Sequence, residues 1–120
     1  MKLKPTEHQE QTAVLQWAEY YAAKWPELKL LFAIPNGGAR HVITAKKLKA
    51  EGVKAGVPDL FLPAARGNYH GLFIEMKVRP NKPSIRQSVW IAALGEQGYK
   101  VEICYSAEEG IEALRLYLGT

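Results

Sequence analysis

The chain has 120 residues, an apolar fraction of 48% and a charged fraction of 23%, values suited to one globular domain, 1–120, with a single core. No apolar run approaches a membrane span, the N-terminus lacks the apolar core of a signal peptide, and the one cysteine, Cys104, excludes an internal disulfide. The expectation is an intracellular, cytoplasmic protein with a net charge of +4 and a packed, unreactive thiol.

Thr6 and Gln9 have the spacing of a capping box, which predicts a helix running to about Lys24 and ending before Trp25-Pro26. Glu10, Ala13, Val14, Trp17 and Tyr21 share one face of it, an apolar stripe headed by a carboxylate. Leu30 to Ile34 reads as a buried strand, stopped by Pro35-Asn36-Gly37-Gly38. Val42 to about Glu51 reads as a second helix with Gly52 as its stop. Leu60-Phe61-Leu62 and Leu72-Phe73-Ile74 are strand arms, apolar on both faces, which suggests a sheet covered on both sides. Ser84 caps a helix running to about Gln97, with Gly98 as its stop and Gln87, Trp90, Ile91 and Leu94 on one face. Lys100 to Tyr105 reads as a strand, and Ser106 caps a final helix from Ala107 to Leu118. The predicted order is α-β-α-β-β-α-β-α, an α/β domain with a mixed central sheet flanked by helices.

The charge is uneven along the chain. Residues 29–86 carry eleven basic and three acidic side chains, and two of those three acids are Asp59 and Glu75. A positive middle around an acidic pair points to a polyanion brought to a metal. An antiparallel pairing centred on Gly67 sets Asp59 directly opposite Glu75, with Cβ atoms about 5 Å apart, and Lys77 shares a face with Glu75. Two carboxylates that close repel unless a proton or a cation sits between them.

Glu10, Asp59 and Glu75, with the backbone carbonyl of Met76, offer oxygen ligands to a hard ion such as Mg²⁺ or Mn²⁺. His8, His41 and His70 lack the spacing of a zinc site. Lys77 stands beside the metal, where its charge can stabilise a phosphorane-like transition state or orient and deprotonate the attacking water. These parts fit phosphodiester hydrolysis. Each residue also has a plainer reading: Glu10 as a helix-dipole partner, Asp59 as a turn residue, Glu75 with Lys77 as an edge ion pair. Arg79, Lys82 and Arg86 follow the acids and can hold phosphates, and Arg40, His41, Lys46, Lys47, Lys49 and Lys54 form a second basic stretch beside the Asn36-Gly37-Gly38 backbone. No recognition helix or aromatic platform stands out, which favours reading of backbone and shape.

Pro58-Asp59 and Glu75-Met76-Lys77 resemble the two signature elements of the PD-(D/E)XK nuclease superfamily, whose fold is restriction-endonuclease-like. Gly56-Val57-Pro58-Asp59-Leu60, Ile74-Glu75-Met76-Lys77, and then Ser84, Gln87, Leu94 and Gly98 are similar to the VRR-NUC family (virus-type replication-repair nucleases). The resemblance covers nearly the whole chain from Glu10 onward. It implies Glu10 as a metal ligand and Gln87 as an active-site residue orienting the water, Lys77 or the scissile phosphate. It also implies a homodimeric DNA endonuclease, structure-selective for branched DNA such as four-way (Holliday) junctions. A single active site per small domain independently calls for a second copy if two strands are cut symmetrically. A restriction-like or flap nuclease, and a DNA-binding accessory protein without catalysis, remain the rival readings, and the +8 middle disfavours a small-molecule hydrolase.

Overall fold

The computed structural model describes residues 3–35 and 42–119. These form α1 (Glu7–Tyr21), β1 (Phe32–Ala33), α2 (Val42–Ala50), β2 (Leu60–Leu62), β3 (Leu72–Met76), α3 (Ile85–Glu96), β4 (Lys100–Cys104) and α4 (Ala107–Leu118), with a 3₁₀ turn at Pro26–Leu30. The element order is the one the sequence predicts. The strands lie in the order β1-β2-β3-β4; β1–β2 and β2–β3 are antiparallel and β3–β4 is parallel. The parallel pair needs a long crossover, and α3 supplies it.

Local chemistry sets the helix boundaries. Thr6 and Gln9 close a reciprocal capping box, with Gln9 N–H donating to Thr6 Oγ1 (3.1 Å) and Thr6 N–H to Gln9 Oε1 (2.9 Å). Ser84 and Gln87 repeat it on α3 at 3.1 and 2.8 Å. Ser106 Oγ accepts from Glu109 N–H on α4 (3.2 Å). The stops at Gly52 and Gly98 carry the paired return bonds of a Schellman turn, Val53 N–H to Leu48 and Gly52 N–H to Lys49, then Tyr99 N–H to Leu94 and Gly98 N–H to Gly95.

Two expectations change. α1 stops at Tyr21 rather than near Lys24, because Trp25 and Lys24 both turn back onto the Tyr21 carbonyl ahead of Pro26. Pro26 then opens a 3₁₀ turn that takes up Leu30, so the predicted buried strand Leu30–Ile34 shrinks to Phe32–Ala33. Both strand residues are exposed, Phe32 by 48%, and the buried residue of this segment is Leu28.

Alternation along the strands sorts the two faces. Leu60, Leu62, Leu72, Ile74 and Met76 pack with Val14 and Ala18 of α1 and with Leu114, Tyr117 and Leu118 of α4. This is the core, and Cys104 is buried in it. The Tyr117 hydroxyl ties α4 to the strand connection by donating to the Ala64 carbonyl (2.6 Å). The opposite face carries Phe61 stacked on Phe73 (ring centroids 4.2 Å apart), Tyr99, and Glu75. α3 lies over this side without burying any of its own residues, and its Gln87, Trp90, Ile91 and Leu94 are half-buried. The expectation of a sheet covered on both sides therefore holds for β3, all of whose residues are buried, but not for β1.

Candidate active site

The β2–β3 ladder pairs Leu60 with Ile74, Phe61 with Phe73 and Leu62 with Leu72, the register centred on Gly67. At the tip the bridge is Arg66 to Tyr69, half a residue later. The extra residue is absorbed on the first arm, where Ala64 N–H turns back onto the Leu62 carbonyl (2.9 Å). One step beyond Leu60 and Ile74 stand Asp59 and Glu75. β2 does not extend to receive the Met76 N–H, and Asp59 Oδ2 accepts it instead at 2.7 Å. A strand residue presents its N–H and C=O to the same side, so the Met76 carbonyl is turned toward Asp59 as well.

Glu75 is 1% exposed. Its Oε2 accepts from Gln87 Nε2 at 3.0 Å and lies 3.8 Å from Lys77 Nζ. Its Oε1 is buried without a hydrogen-bond partner, an arrangement that costs free energy as it stands. Burial, and then the neighbouring Asp59 charge, push the Glu75 carboxyl up to about 8. Burial also raises Asp59, against the pull of the Met76 N–H. Near neutral pH the pair therefore retains a proton at the place where a cation's charge would do the same work. A buried carboxylate oxygen without a partner, opposite a second carboxylate and beside a backbone carbonyl, is a donor set that fits a hard divalent ion.

Glu10 does not join this pair. Its Oε2 accepts from the Ala107 N–H (3.1 Å) at the start of α4, a role that suits a carboxylate because the helix N-terminus is positive. Among the described residues no three His, Cys, Asp or Glu side chains come together as a metal-holding group, so the three-carboxylate set expected from Glu10, Asp59 and Glu75 is not assembled. The α1 carboxylate whose charge acts on both Asp59 and Glu75 is Glu7, which raises each of them. Glu7 lies three residues before Glu10 and so on the same helix face, and that spacing is the one signal of it in the sequence.

The basic residues divide into groups. Arg40, with His41 and the Asn36-Gly37-Gly38 backbone, lies outside the described residues. Lys46, Lys54 and Arg86 come together, with Lys49, around a cleft of about 640 Å³ between α2, the following loop and α3. Lys47, on α2, is not part of its lining. Arg79 lies over the Tyr105 ring, 4.2 Å from the centroid, and its carbonyl accepts from the Lys4 ammonium. Lys82 is exposed in the loop before α3. The cleft adjoins the acids through the chain: Arg86 precedes Gln87, and Gly56, packed against Arg86 and Trp90 of the cleft lining, lies three residues before Asp59.

A family model described as the VRR-NUC domain matches residues 4–108. The chain belongs to the VRR-NUC family. A solved structure titled "VRR_NUC domain protein" is similar over 98% of this chain and 91% of its own, at 31% identity and a TM-score of 0.82. No curated protein matches. As a VRR-NUC chain it has the mixed α/β arrangement of the PD-(D/E)XK-like nucleases, and Pro58-Asp59 and Glu75-Met76-Lys77 stand at the open end of its β2–β3 pair. No helix of the described residues is long and apolar enough to cross a membrane.

Proposed function

We propose that this VRR-NUC chain is a divalent-metal-dependent DNA endonuclease that hydrolyses phosphodiester bonds, acting as a homodimer and preferring branched DNA such as four-way junctions. The observation that carries the reading is the buried Glu75 carboxyl, raised by burial and by the Asp59 charge and with no donor on its Oε1, in a chain of this nuclease family. Asp59, Glu75 and the Met76 carbonyl would hold Mg²⁺ or Mn²⁺, with the charge of Glu7 adding to the attraction. The bound ion supplies a Lewis acid that lowers the pKa of water and offsets phosphate charge.

The remaining chemistry belongs to the protein. Lys77 Nζ, 3.8 Å from Glu75 Oε2, places a positive charge where charge develops on the phosphoryl oxygens. Gln87 fixes Glu75 Oε2 through its Nε2 while its Oε1 accepts the Ser84 N–H, so the start of α3 is tied to the acidic centre. Gln87 thereby orients Glu75 and, through it, the water or scissile phosphate. Branch preference and dimerisation rest on the family and on the need for two centres to cut two strands.

Mg²⁺-dependent cleavage of a panel of linear duplex, flap and four-way junction tests the reading, with Asp59→Asn and Lys77→Ala as controls. Cleavage concentrated on the junction and strongly reduced in both variants is expected. Undiminished cutting by both folded variants would contradict the site. Salt-sensitive DNA binding without any metal-dependent turnover would favour the accessory-protein reading instead.

A further inference from the structure

We infer that the basic cleft between α2 and α3 seats an unpaired nucleotide of the DNA strand beside the cut, its base stacked on Trp90 and its phosphates held by Lys46, Lys49, Lys54 and Arg86. The inference rests on the nuclease reading above and adds to it the form of DNA that is recognised.

The cleft encloses about 640 Å³, and no carboxylate lines it. None of its four cations has an ion-pair partner among the described residues. Four unneutralised positive charges in one hollow repel one another and gain from a polyanion. Charge alone would suit any stretch of DNA backbone, but Trp90 makes the hollow more selective. Its half-buried indole lines this cleft and an adjoining hollow of about 370 Å³ whose walls include Ile34, Pro35, Val53 and Val57, with Glu51 and Lys54 at its polar edge. The site thus sets four cations around the Trp90 indole, with mainly apolar walls and one carboxylate, Glu51, in the adjoining hollow. A nucleotide likewise joins a charged phosphate to a flat base, and its size falls within the range such pockets hold.

The ring and one cation are held in place by the backbone opposite. Gly56 has a φ of +95°, and a Cβ there would come 2.7 Å from Arg86 Cγ and 3.0 Å from Trp90 Cδ1. The bare backbone therefore lies flush against both side chains and limits their movement. A base paired within a duplex keeps both faces stacked and cannot enter the hollow; an unpaired base, in a flap or where an arm of a junction opens at the branch point, can. The three residues from Gly56 to Asp59 span at most about 10 Å, so a nucleotide in the cleft and a phosphate at the acids belong to one short stretch of strand.

The test is equilibrium binding of the full chain, in chelator so that nothing is cut, to two labelled eight-unit DNA strands. One is oligothymidine and the other carries abasic sites at equal phosphate charge. Oligothymidine is expected to bind at least roughly fivefold tighter, the lower end of one base stacked on an aromatic ring. Trp90→Phe should keep that preference and Trp90→Leu should erase it. Lys54→Ala and Arg86→Ala should weaken both strands alike and lower the salt slope by about 0.7 each.

Equal affinity of the unaltered protein for the two strands would overturn the inference, and this comparison needs no variant to fold. Retention of the preference by a folded Trp90→Leu would overturn it too, and tighter binding of oligouridine RNA would overturn the DNA assignment. Mg²⁺-dependent cleavage measured alongside separates the two readings. Cutting without base preference defeats this inference alone, and base preference without cutting defeats the nuclease reading alone.

Discussion

The acidic centre and the basic cleft are neighbours built in opposite ways. Asp59 and Glu75 sit at the end of an antiparallel ladder, with Met76 N–H fastening one and Gln87 and Lys77 flanking the other. Lys46, Lys49, Lys54 and Arg86 hang from two helices and a loop, exposed and without an ion-pair partner among the described residues. Strand register fixes carboxylates to within a fraction of an ångström, which chemistry on a phosphate requires. Long flexible cations on helices adjust to a backbone whose shape varies, which binding requires. Precision and adaptability are thus assigned to different elements of a 120-residue fold.

Breaking the acidic centre should have the largest effect. Asp59→Asn and Glu75→Gln are expected to lower Mg²⁺-dependent cleavage by at least roughly a thousandfold while the fold, followed by circular dichroism, persists. Lys77→Ala should cost about a hundred- to a thousandfold in turnover and leave Mn²⁺ affinity near its original value. If Lys77→Ala instead abolished metal binding, its place beside Glu75 would be structural rather than electrostatic.

The pH dependence of stability sharpens the contrast, because burial raises both carboxyls of the acidic centre in the folded protein, Glu75 from 4.5 to about 8. The folded state therefore binds more protons than the unfolded chain between those values, and stability falls as pH rises through them. Thermal unfolding in chelator should show the midpoint dropping from about pH 5 to pH 8. Mg²⁺ should restore it at the upper end, and Glu75→Gln should flatten the profile. A midpoint that climbs over this range would contradict the raised pair.

The smallest effect separates the two α1 carboxylates. Glu10→Gln removes a charged acceptor from the α4 N-terminus and should cost about 1 kcal/mol of stability with little change in Mn²⁺ affinity. Glu7→Gln should do the reverse, weakening Mn²⁺ binding with little change in stability. Urea unfolding and calorimetric titration of both variants would show whether the assignment is inverted.

Much of this was readable along the chain because local chemistry decides it. Thr6, Ser84 and Ser106 announced three helix starts, Gly52 and Gly98 two stops, and the apolar arms around Gly67 set the register that opposes Asp59 to Glu75. Non-local structure was less legible. Whether Glu10 turns to a metal or to α4 depends on a backbone N–H 97 residues away, and no periodicity in α1 carries that information. Trp90 was correctly placed on the inward stripe of α3, yet only the packing of α2 and the Gly56 loop leaves a charged hollow over its ring. Leu30 followed its apolar neighbours into a predicted strand, but Pro26 four residues earlier committed it to a 3₁₀ turn.

Mn²⁺ binding to the metal-free protein, followed by calorimetry near neutral pH, tests the central claim most directly. Binding to the unaltered chain and to Glu10→Gln, lost in Asp59→Asn and in Glu75→Gln, is the predicted result. Unchanged Mn²⁺ affinity in folded Asp59→Asn and Glu75→Gln would contradict it.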